Sequence, residues 1–211
     1  MKQWPLTAQW WLPLVLIASA CHSSTRPSPT ASLVVTPAGQ AIVGVTRLRF
    51  SGAATGLVGD SLRYEWSFGD GTTGDGALLG HVFQTAGTFD VTLTASDARG
   101  GAASAGARVT VRSLDGAWSD PTPGPAGYGL GFNLAQRGNE LESDINSPGN
   151  CPNFEGGPPW GTLHGYVEDP RAVRWTLVCV VERHFTGVAD DSLNSITGRY
   201  DTGRTVTYFR H

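Results

Sequence analysis

The sequence predicts an all-β protein made of two small domains. Glycine and proline account for 28 and 13 of the 211 residues, so turn-forming residues interrupt the chain too often for long helices. Between these breaks, apolar and polar residues alternate with the period of two that is typical of half-buried strands. The length suits one domain or two small ones, and a break after residue 113 favours domains at 32–113 and 114–211.

The N-terminal segment predicts export. The apolar run Trp10–Ile17 is too short to cross a bilayer, which needs about 20 apolar residues, but it suits a signal peptide over residues 1–20. The residues that follow, Ala18–Cys21, resemble the lipobox of bacterial lipoproteins, in which the cysteine becomes the lipidated first residue. The resemblance implies a membrane anchor at Cys21. An ordinary cleaved signal peptide with a spare thiol is the alternative.

The segment 21–31 is polar and contains prolines, so it predicts a flexible tether between the lipidated cysteine and the first folded domain. His22 follows the cysteine, where many Gram-negative lipoproteins that stay in the inner membrane carry an aspartate. The lipoprotein resemblance therefore implies an exported protein of the cell envelope, anchored in the outer membrane.

Two further cysteines, Cys151 and Cys179, remain once Cys21 is assigned to the anchor. In an exported protein an even pair favours a structural disulfide. Such a bridge would stabilise the domain by roughly 3 to 4 kcal/mol in the chain-entropy model. Two free thiols are the first alternative. A metal pair is less favoured, because no CxxC or HxxxH spacing accompanies the cysteines.

The first domain contains five segments with strand character, bounded by turn residues. Their apolar positions are Leu33–Val35, then Leu48 and Phe50, then alternate residues in 62–68, 89–95 and 107–111. The third segment is the most informative, because its apolar residues all lie on one face and Gly69-Asp70-Gly71 then breaks the chain into a turn. These segments predict one apolar face on each strand of a β-sandwich.

Three stretches of this domain, Tyr64–Gly71, His81–Phe83 and Ala86–Leu93, resemble the signature of PKD domains in the expected order. Ser67 stands where the family usually has an aspartate. The resemblance implies an immunoglobulin-like β-sandwich over residues 32–113. It also implies the usual role of the family in secreted proteins, as a spacer or adhesion module.

Two short motifs in the first domain invite a chemical interpretation that the rest of the sequence does not support. Gly59–Leu62 spells the motif of the GDSL esterases, but the chain has no Asp-x-x-His that would complete their catalytic machinery. The acidic, glycine-rich stretch 70–76 suggests calcium. An EF-hand would require a glutamate twelve positions into the loop, where the chain has His81. The residues Gly59–Leu62 also fit the stretch that leads into the tryptophan strand of PKD domains, and turn formation explains the stretch 70–76 better.

The second domain contains short strand-like segments about 8 to 12 residues apart. The residues that mark them are Trp118, Tyr128, Leu130, Phe132, Leu134, Leu163, Tyr166, Val167, Val173, Trp175, Leu177, Cys179, Phe185, Ile196, Val206 and Tyr208. Hairpin signals occur at 136–139, 190–192 and 200–204. About eight strands fit the length, so we expect a small antiparallel β-barrel of lipocalin-like or avidin-like form. A second β-sandwich is the alternative.

Candidate ligand-binding residues lie in this second domain. Trp160, on a long irregular loop, together with Trp175 and His164, could line the mouth or interior of a barrel that binds a small apolar ligand or a sugar ring. His184 and His211 are further candidates. In the alternative interpretation Trp175 is a core residue and the histidines are scattered over the surface. Large inward residues such as Trp175 favour a filled barrel without a cavity.

The composition excludes several functional classes. The net charge is −3 and the basic residues are spread singly, so we expect no nucleic-acid partner. No motif indicates a cofactor, a metal site or a set of catalytic residues. We therefore predict a non-catalytic cell-envelope lipoprotein with a spacer or adhesion module, whose partner is a protein or a carbohydrate surface. A small-ligand or carbohydrate-binding barrel is the alternative, and a hydrolase is less favoured.

Overall fold

The computed structural model describes residues 28–38, 40–59, 61–122, 131–145, 161–168, 171–178 and 182–211. This part of the chain forms sixteen β-strands and no helix, which confirms the predicted all-β class. None of it is a helix that could span a membrane. The predicted features that lie outside the described residues are the signal peptide, Cys21 with the tether up to residue 27, Tyr128, Leu130, Cys151, Trp160 and Cys179.

The N-terminal domain is a sandwich of two sheets. The three-stranded sheet has the order β1-β3-β6, with bounds Thr30–Thr36, Leu48–Thr55 and Leu78–His81. The five-stranded sheet has the order β2-β8-β7-β4-β5, with bounds Ala41–Ile42, Ala102–Arg112, Gly87–Ser96, Arg63–Ser67 and Thr73–Asp75. All strand pairs are antiparallel except β2 with β8.

The sandwich core lies where the alternation of the sequence places it. Trp66 and Phe68 are almost fully buried between the sheets. The ring of Phe50, from the opposite sheet, meets both of them edge-on, with centroid distances of 5.8 and 5.2 Å. The Trp66 indole N–H donates to the carbonyl oxygen of Gly76 at 2.8 Å, so this large side chain is buried with its polar atom satisfied.

Two details of this domain correct the sequence analysis. Strand β1 begins at Thr30, whose partner in β3 is Thr55. The tether predicted for 21–31 therefore ends before residue 30, because the last two of its residues belong to the sheet. The sequence analysis also missed β2, β5 and β6, which are only two to four residues long and so show no recognisable alternation.

The C-terminal domain is a closed antiparallel barrel of eight strands, which confirms the first of the two predicted architectures. In chain order the strands are β9 Gly116–Ser119, β10 Gly131–Arg137, β11 Glu140–Ile145, β12 Gly161–Glu168, β13 Ala172–Val178, β14 Glu182–Ala189, β15 Ser195–Tyr200 and β16 Thr205–Arg210. Each strand pairs with the next one along the chain, and β9 closes the barrel by pairing with β16. Closure leaves no free sheet edge.

Large aromatic side chains fill the barrel. Trp175 stacks on Phe185 at 4.1 Å and 11°, and the Tyr208 ring lies against both of them. Glycines on the neighbouring strands make room for these rings. A Cβ atom on Gly187 would lie only 2.5 Å from the Phe185 ring. In the part of the barrel that the structure describes, the interior is a core of packed aromatic and aliphatic side chains.

One polar group of side chains lies at the end of the barrel that carries the β15–β16 turn. The hydroxyls of Tyr200 and Tyr208 are 2.8 Å apart. Burial raises the pKa of both tyrosines above the usual value. Beside them, the almost fully buried carboxylate of Asp120 accepts from Arg204 at 2.9 Å and from the Thr122 backbone N–H at 2.9 Å. The network is therefore a satisfied structural feature.

Candidate functional site

A groove of about 330 Å³ lies on the outer wall of the barrel, across β12, β13 and β14. Its volume is at the lower end of the range of ligand pockets, about 300 to 1000 Å³. The floor is the barrel wall at Gly165, Trp175 and Phe185. The rings of the two aromatic residues are buried in the core. The residues that face outward around this floor are His164, Tyr166, Arg174, Thr176, His184 and Thr186.

Strand register brings these outward residues together in two rows. His164 lies directly opposite Thr176, which in turn lies opposite His184. In the second row Arg174 stands between Tyr166 and Thr186. Neighbouring strands are about 4.8 Å apart, so each row spans about 10 Å across three strands. That width suits a small ligand.

The groove is close to neutral, and its mostly apolar lining carries several polar groups. Arg174 forms an ion pair with Glu168, so its charge is compensated at the edge of the groove. The Thr176 hydroxyl and Nδ1 of His184 are 3.1 Å apart and form a hydrogen bond. Tyr166 presents a ring that is 51% exposed. The lining therefore combines one accessible aromatic face with hydroxyl and imidazole groups that both donate and accept hydrogen bonds.

In the N-terminal domain, the acidic, glycine-rich stretch that begins at Asp70 forms the turn after β4. One carboxylate oxygen of Asp70 accepts from the Thr72 backbone N–H at 3.0 Å and from its hydroxyl at 2.6 Å, and the other is 2.7 Å from His81 Nε2. Burial acts to raise the pKa of Asp70, and these hydrogen bonds outweigh it, so the pKa is lowered. Asp70 therefore organises the turn.

In a comparison with known protein families, the model of the family described as PKD domain matches residues 28–112, which form the N-terminal sandwich. The chain contains a PKD domain. The resemblance stated from the sequence is thereby confirmed for the N-terminal domain.

A comparison with solved structures gives a distant match. The matching structure is titled "Structural basis for the promiscuous specificity of the carbohydrate-binding modules from the beta-sandwich super family". The two sequences are 20% identical, the match covers 72% of this chain, and the TM-score is 0.38. The chain spans less than two thirds of that structure, 58% of its length.

The PKD domain carries a second groove, of about 380 Å³, on the outer face of its five-stranded sheet. Glu65 and Asp75 lie directly opposite each other there, among serine and threonine hydroxyls. Two like charges in opposed positions repel each other, and Glu65 is only partly compensated by Arg63 at 3.6 Å. This groove differs from the barrel groove because no exposed aromatic ring lines it.

The structure gives different positions to the residues that the sequence analysis grouped as ligand-binding. Trp175 is 3% exposed, and its ring belongs to the barrel core. His164 faces outward on β12. Both line the outer groove, but Trp175 does so only as part of the floor. His184 lies in the same groove, whereas His211 lies beside Ser119 outside it.

Four of the groove residues were not predicted as binding candidates: Tyr166, which the sequence analysis used only to mark a strand, and Arg174, Thr176 and Thr186. Each lies on a strand at a polar or exposed position next to a buried one. Period-two alternation identifies them as outward-facing. Only the strand register shows that they meet, because no spacing along the chain encodes it.

Two hydroxyl–imidazole pairs, Ser119 with His211 and Thr176 with His184, resemble parts of catalytic sites without completing one. Ser119 Oγ and His211 Nε2 are 2.5 Å apart at the surface, which is the geometry of a nucleophile and its base. Within the described residues, no carboxylate forms a hydrogen bond with His211 to orient it as catalytic triads require. Among the same residues, no three histidine, cysteine or acidic side chains are arranged to hold a metal ion.

Proposed function

We propose that this protein is a non-catalytic interaction module of the cell envelope, in which the PKD domain is the spacer and the barrel carries the contact site. The observation that supports this most is the filled barrel interior, with Trp175 and Phe185 stacked at its centre. A ligand must then bind on the outer surface. The groove over β12–β14 is a concave surface of the barrel that carries an exposed ring.

We infer that the ligand of this groove is a neutral glycan. A sugar ring has an apolar face of C–H groups and a rim of hydroxyls that donate and accept hydrogen bonds. The Tyr166 ring complements the first, and Thr176, His164 and His184 complement the second. Arg174 is already paired with Glu168, so the groove offers no unpaired cation that would favour an acidic ligand.

The test is the binding of the mature protein to an array of neutral and acidic saccharides, followed by titration of the best neutral ligand. Tyr166→Ala removes the exposed ring from the groove. Phe209→Ala is the matched control, because Phe209 is also an exposed aromatic residue of the barrel, at 44%, and lies on β16 outside the groove.

The expected result is that Tyr166→Ala weakens neutral-glycan binding about ten-fold, equivalent to about 1.4 kcal/mol, while Phe209→Ala changes it less than two-fold. Equal loss in both variants would move the contact site away from the groove. Binding to acidic saccharides alone would contradict the proposed ligand class. Binding to no saccharide would refute the glycan proposal.

The cell-envelope location depends on the proposed lipid anchor at Cys21. Cells that express the protein should incorporate labelled fatty acid into it, and Cys21→Ser should abolish the label. If the wild-type protein takes up no label and is released into the soluble fraction, the signal peptide is an ordinary cleaved one. The proposed bridge between Cys151 and Cys179 is tested by peptide mapping of the same protein without reduction.

A further inference from the structure

The short strand β2 and the turn after it divide their side chains between the two domains. Ala41 and Val43 are buried in the core of the PKD sandwich. Ile42, which is 1% exposed, belongs to the hydrophobic core of the barrel, and Val45 packs against the same core. Successive residues of a strand point to opposite faces. One face of this segment therefore completes the PKD core while the other covers the end of the barrel.

The backbone of this segment, 41–46, is held on the PKD side. The N–H of Val43 donates to the Arg112 carbonyl oxygen at 3.0 Å, and that of Gly44 donates to Phe83 at 2.8 Å. Thr46 is almost fully buried, and its hydroxyl accepts from the Ile42 N–H at 2.9 Å. The segment is thus a fixed part of the PKD domain that presents Ile42 to the barrel in one conformation.

Gln136, at the end of β10, joins both domains and the linker between them. Its side-chain oxygen accepts from the Leu114 N–H at 2.8 Å. Its side-chain nitrogen donates to the carbonyl oxygens of Val43 at 3.0 Å and Gly138 at 2.7 Å. One amide therefore uses its acceptor and both of its donor hydrogens at the junction, an arrangement that fixes geometry as well as adding stability.

The linker between the domains is itself buried and bound. Leu114 is fully buried in the barrel core. Arg210 donates to the Ser113 carbonyl oxygen at 3.1 Å and also to that of Asp115. Arg112 donates to the Ser192 carbonyl oxygen of the barrel at 3.0 Å. A flexible linker would be polar, exposed and free of such contacts.

The two domains also meet glycine against glycine. A Cβ atom on Gly44 would lie 2.6 Å from the Cα atom of Gly138. Both residues have positive φ angles, +69° and +62°, so both favour glycine for backbone reasons as well. A Cβ atom on Gly138, by contrast, would meet nothing within 4 Å. The contact therefore depends on the missing side chain of Gly44 alone.

We propose that the segment 41–46 of the PKD domain is the end cap of the barrel, so that the two domains unfold and tumble as one body. A spacer built in this way holds the groove on the barrel wall at a fixed angle to the PKD domain. The barrel then needs the PKD domain for its own stability, because Ile42 of that domain completes the barrel core.

The experiment is amide hydrogen exchange of the mature protein in a series of urea concentrations, with β7–β8 reporting on the PKD domain and β12–β14 on the barrel. The variants are Gly44→Ala and Gly138→Ala. Both place a side chain at a similar positive φ angle, but only the first adds a clash across the domain contact. Ile42→Ala is a third variant, which removes a barrel contact without any clash.

In the wild-type protein, both sets of amides should lose protection at the same urea concentration. Gly44→Ala and Ile42→Ala, although they are changes in the PKD domain, should increase opening of the barrel strands ten-fold or more. Gly138→Ala should have a smaller effect, shared by both domains. Two separate transitions in the wild type would overturn the proposal. So would variants that affect only the domain in which they lie.

Discussion

Replacing Gly187 by alanine tests the packing of the barrel core. Gly187 is a buried residue of β14 beside the stacked pair of Trp175 and Phe185. The added Cβ atom would lie 2.5 Å from Phe185 Cε1 and 2.8 Å from the Thr197 carbonyl oxygen. The ring is held on its other face by Trp175, and the carbonyl belongs to the backbone of β15, so neither can move away freely. Overpacking of this kind costs about 1 to 3 kcal/mol.

The assay is urea unfolding of the mature protein, compared with Gly106→Ala as the control. Gly106 also lies within a strand, but a Cβ atom there would meet only the Val91 carbonyl oxygen, at 3.6 Å. Its substitution should leave stability unchanged or increase it by about 0.4 to 1 kcal/mol through the unfolded state. Equal effects of the two substitutions would refute the claim that rings fill the barrel at Gly187.

Three further predictions concern titration and the domain junction. Tyr200 and Tyr208 keep their protons in the folded barrel at a pH where the unfolded chain loses them. The free energy of unfolding should therefore fall above pH about 10, by up to about 1.4 kcal/mol per pH unit for each tyrosine. If Tyr200→Phe leaves the slope of this free energy against pH unchanged, the prediction is wrong. Because the pKa of Asp70 is lowered in the folded state, its carboxylate stabilises the fold at any pH above the pKa of the unfolded state. This stabilisation is lost as the pH falls through the pKa of the folded state. The stability difference between wild type and Asp70→Asn should accordingly shrink below pH about 4, and urea midpoints from pH 2 to 7 measure it; a constant difference would argue against it. Gln136→Ala should cost about 1 to 3 kcal/mol in urea unfolding, because groups at the junction lose their partners; an unchanged midpoint would show that the junction is weak.

The parts of the fold that the sequence predicts are the ones with regular alternation. The segment 62–68 carries its apolar residues on one face, and Trp66 and Phe68 are buried as that pattern requires. In the barrel, Val173, Trp175 and Leu177 alternate in the same way and all point inward. Burial of one sheet face imposes this period on the sequence, so the sequence reports the face.

The parts that the sequence missed lack this signal for identifiable reasons. Strand β11 was predicted only through its turn at 136–139, because its second inward position is Ser143 where an apolar residue would mark a strand. Ile42 is adjacent to residues of the PKD core, yet it packs in the barrel. Nothing along the chain distinguishes those two destinations, since they depend on how the domains meet.

The candidate site was only partly predictable for a similar reason. His164 and His184 are twenty residues apart in the chain, and they share a groove because Thr176 pairs with both of them in the register of β12, β13 and β14. A one-residue shift of either pairing would send the facing side chains into the core. The sequence identified the histidines as candidates, but the register decides which side of the wall they occupy.

The most direct test of this account is to map the binding surface by amide chemical shifts. The mature protein, labelled with ¹⁵N, is titrated with soluble neutral oligosaccharides. The account predicts shifts confined to the groove strands, at His164, Tyr166, Arg174, Thr176 and Thr186, with the amides of Tyr200 and Tyr208 unchanged. Shifts centred on the two core tyrosines would show that the ligand enters the barrel, and would contradict the filled interior on which the proposed function depends.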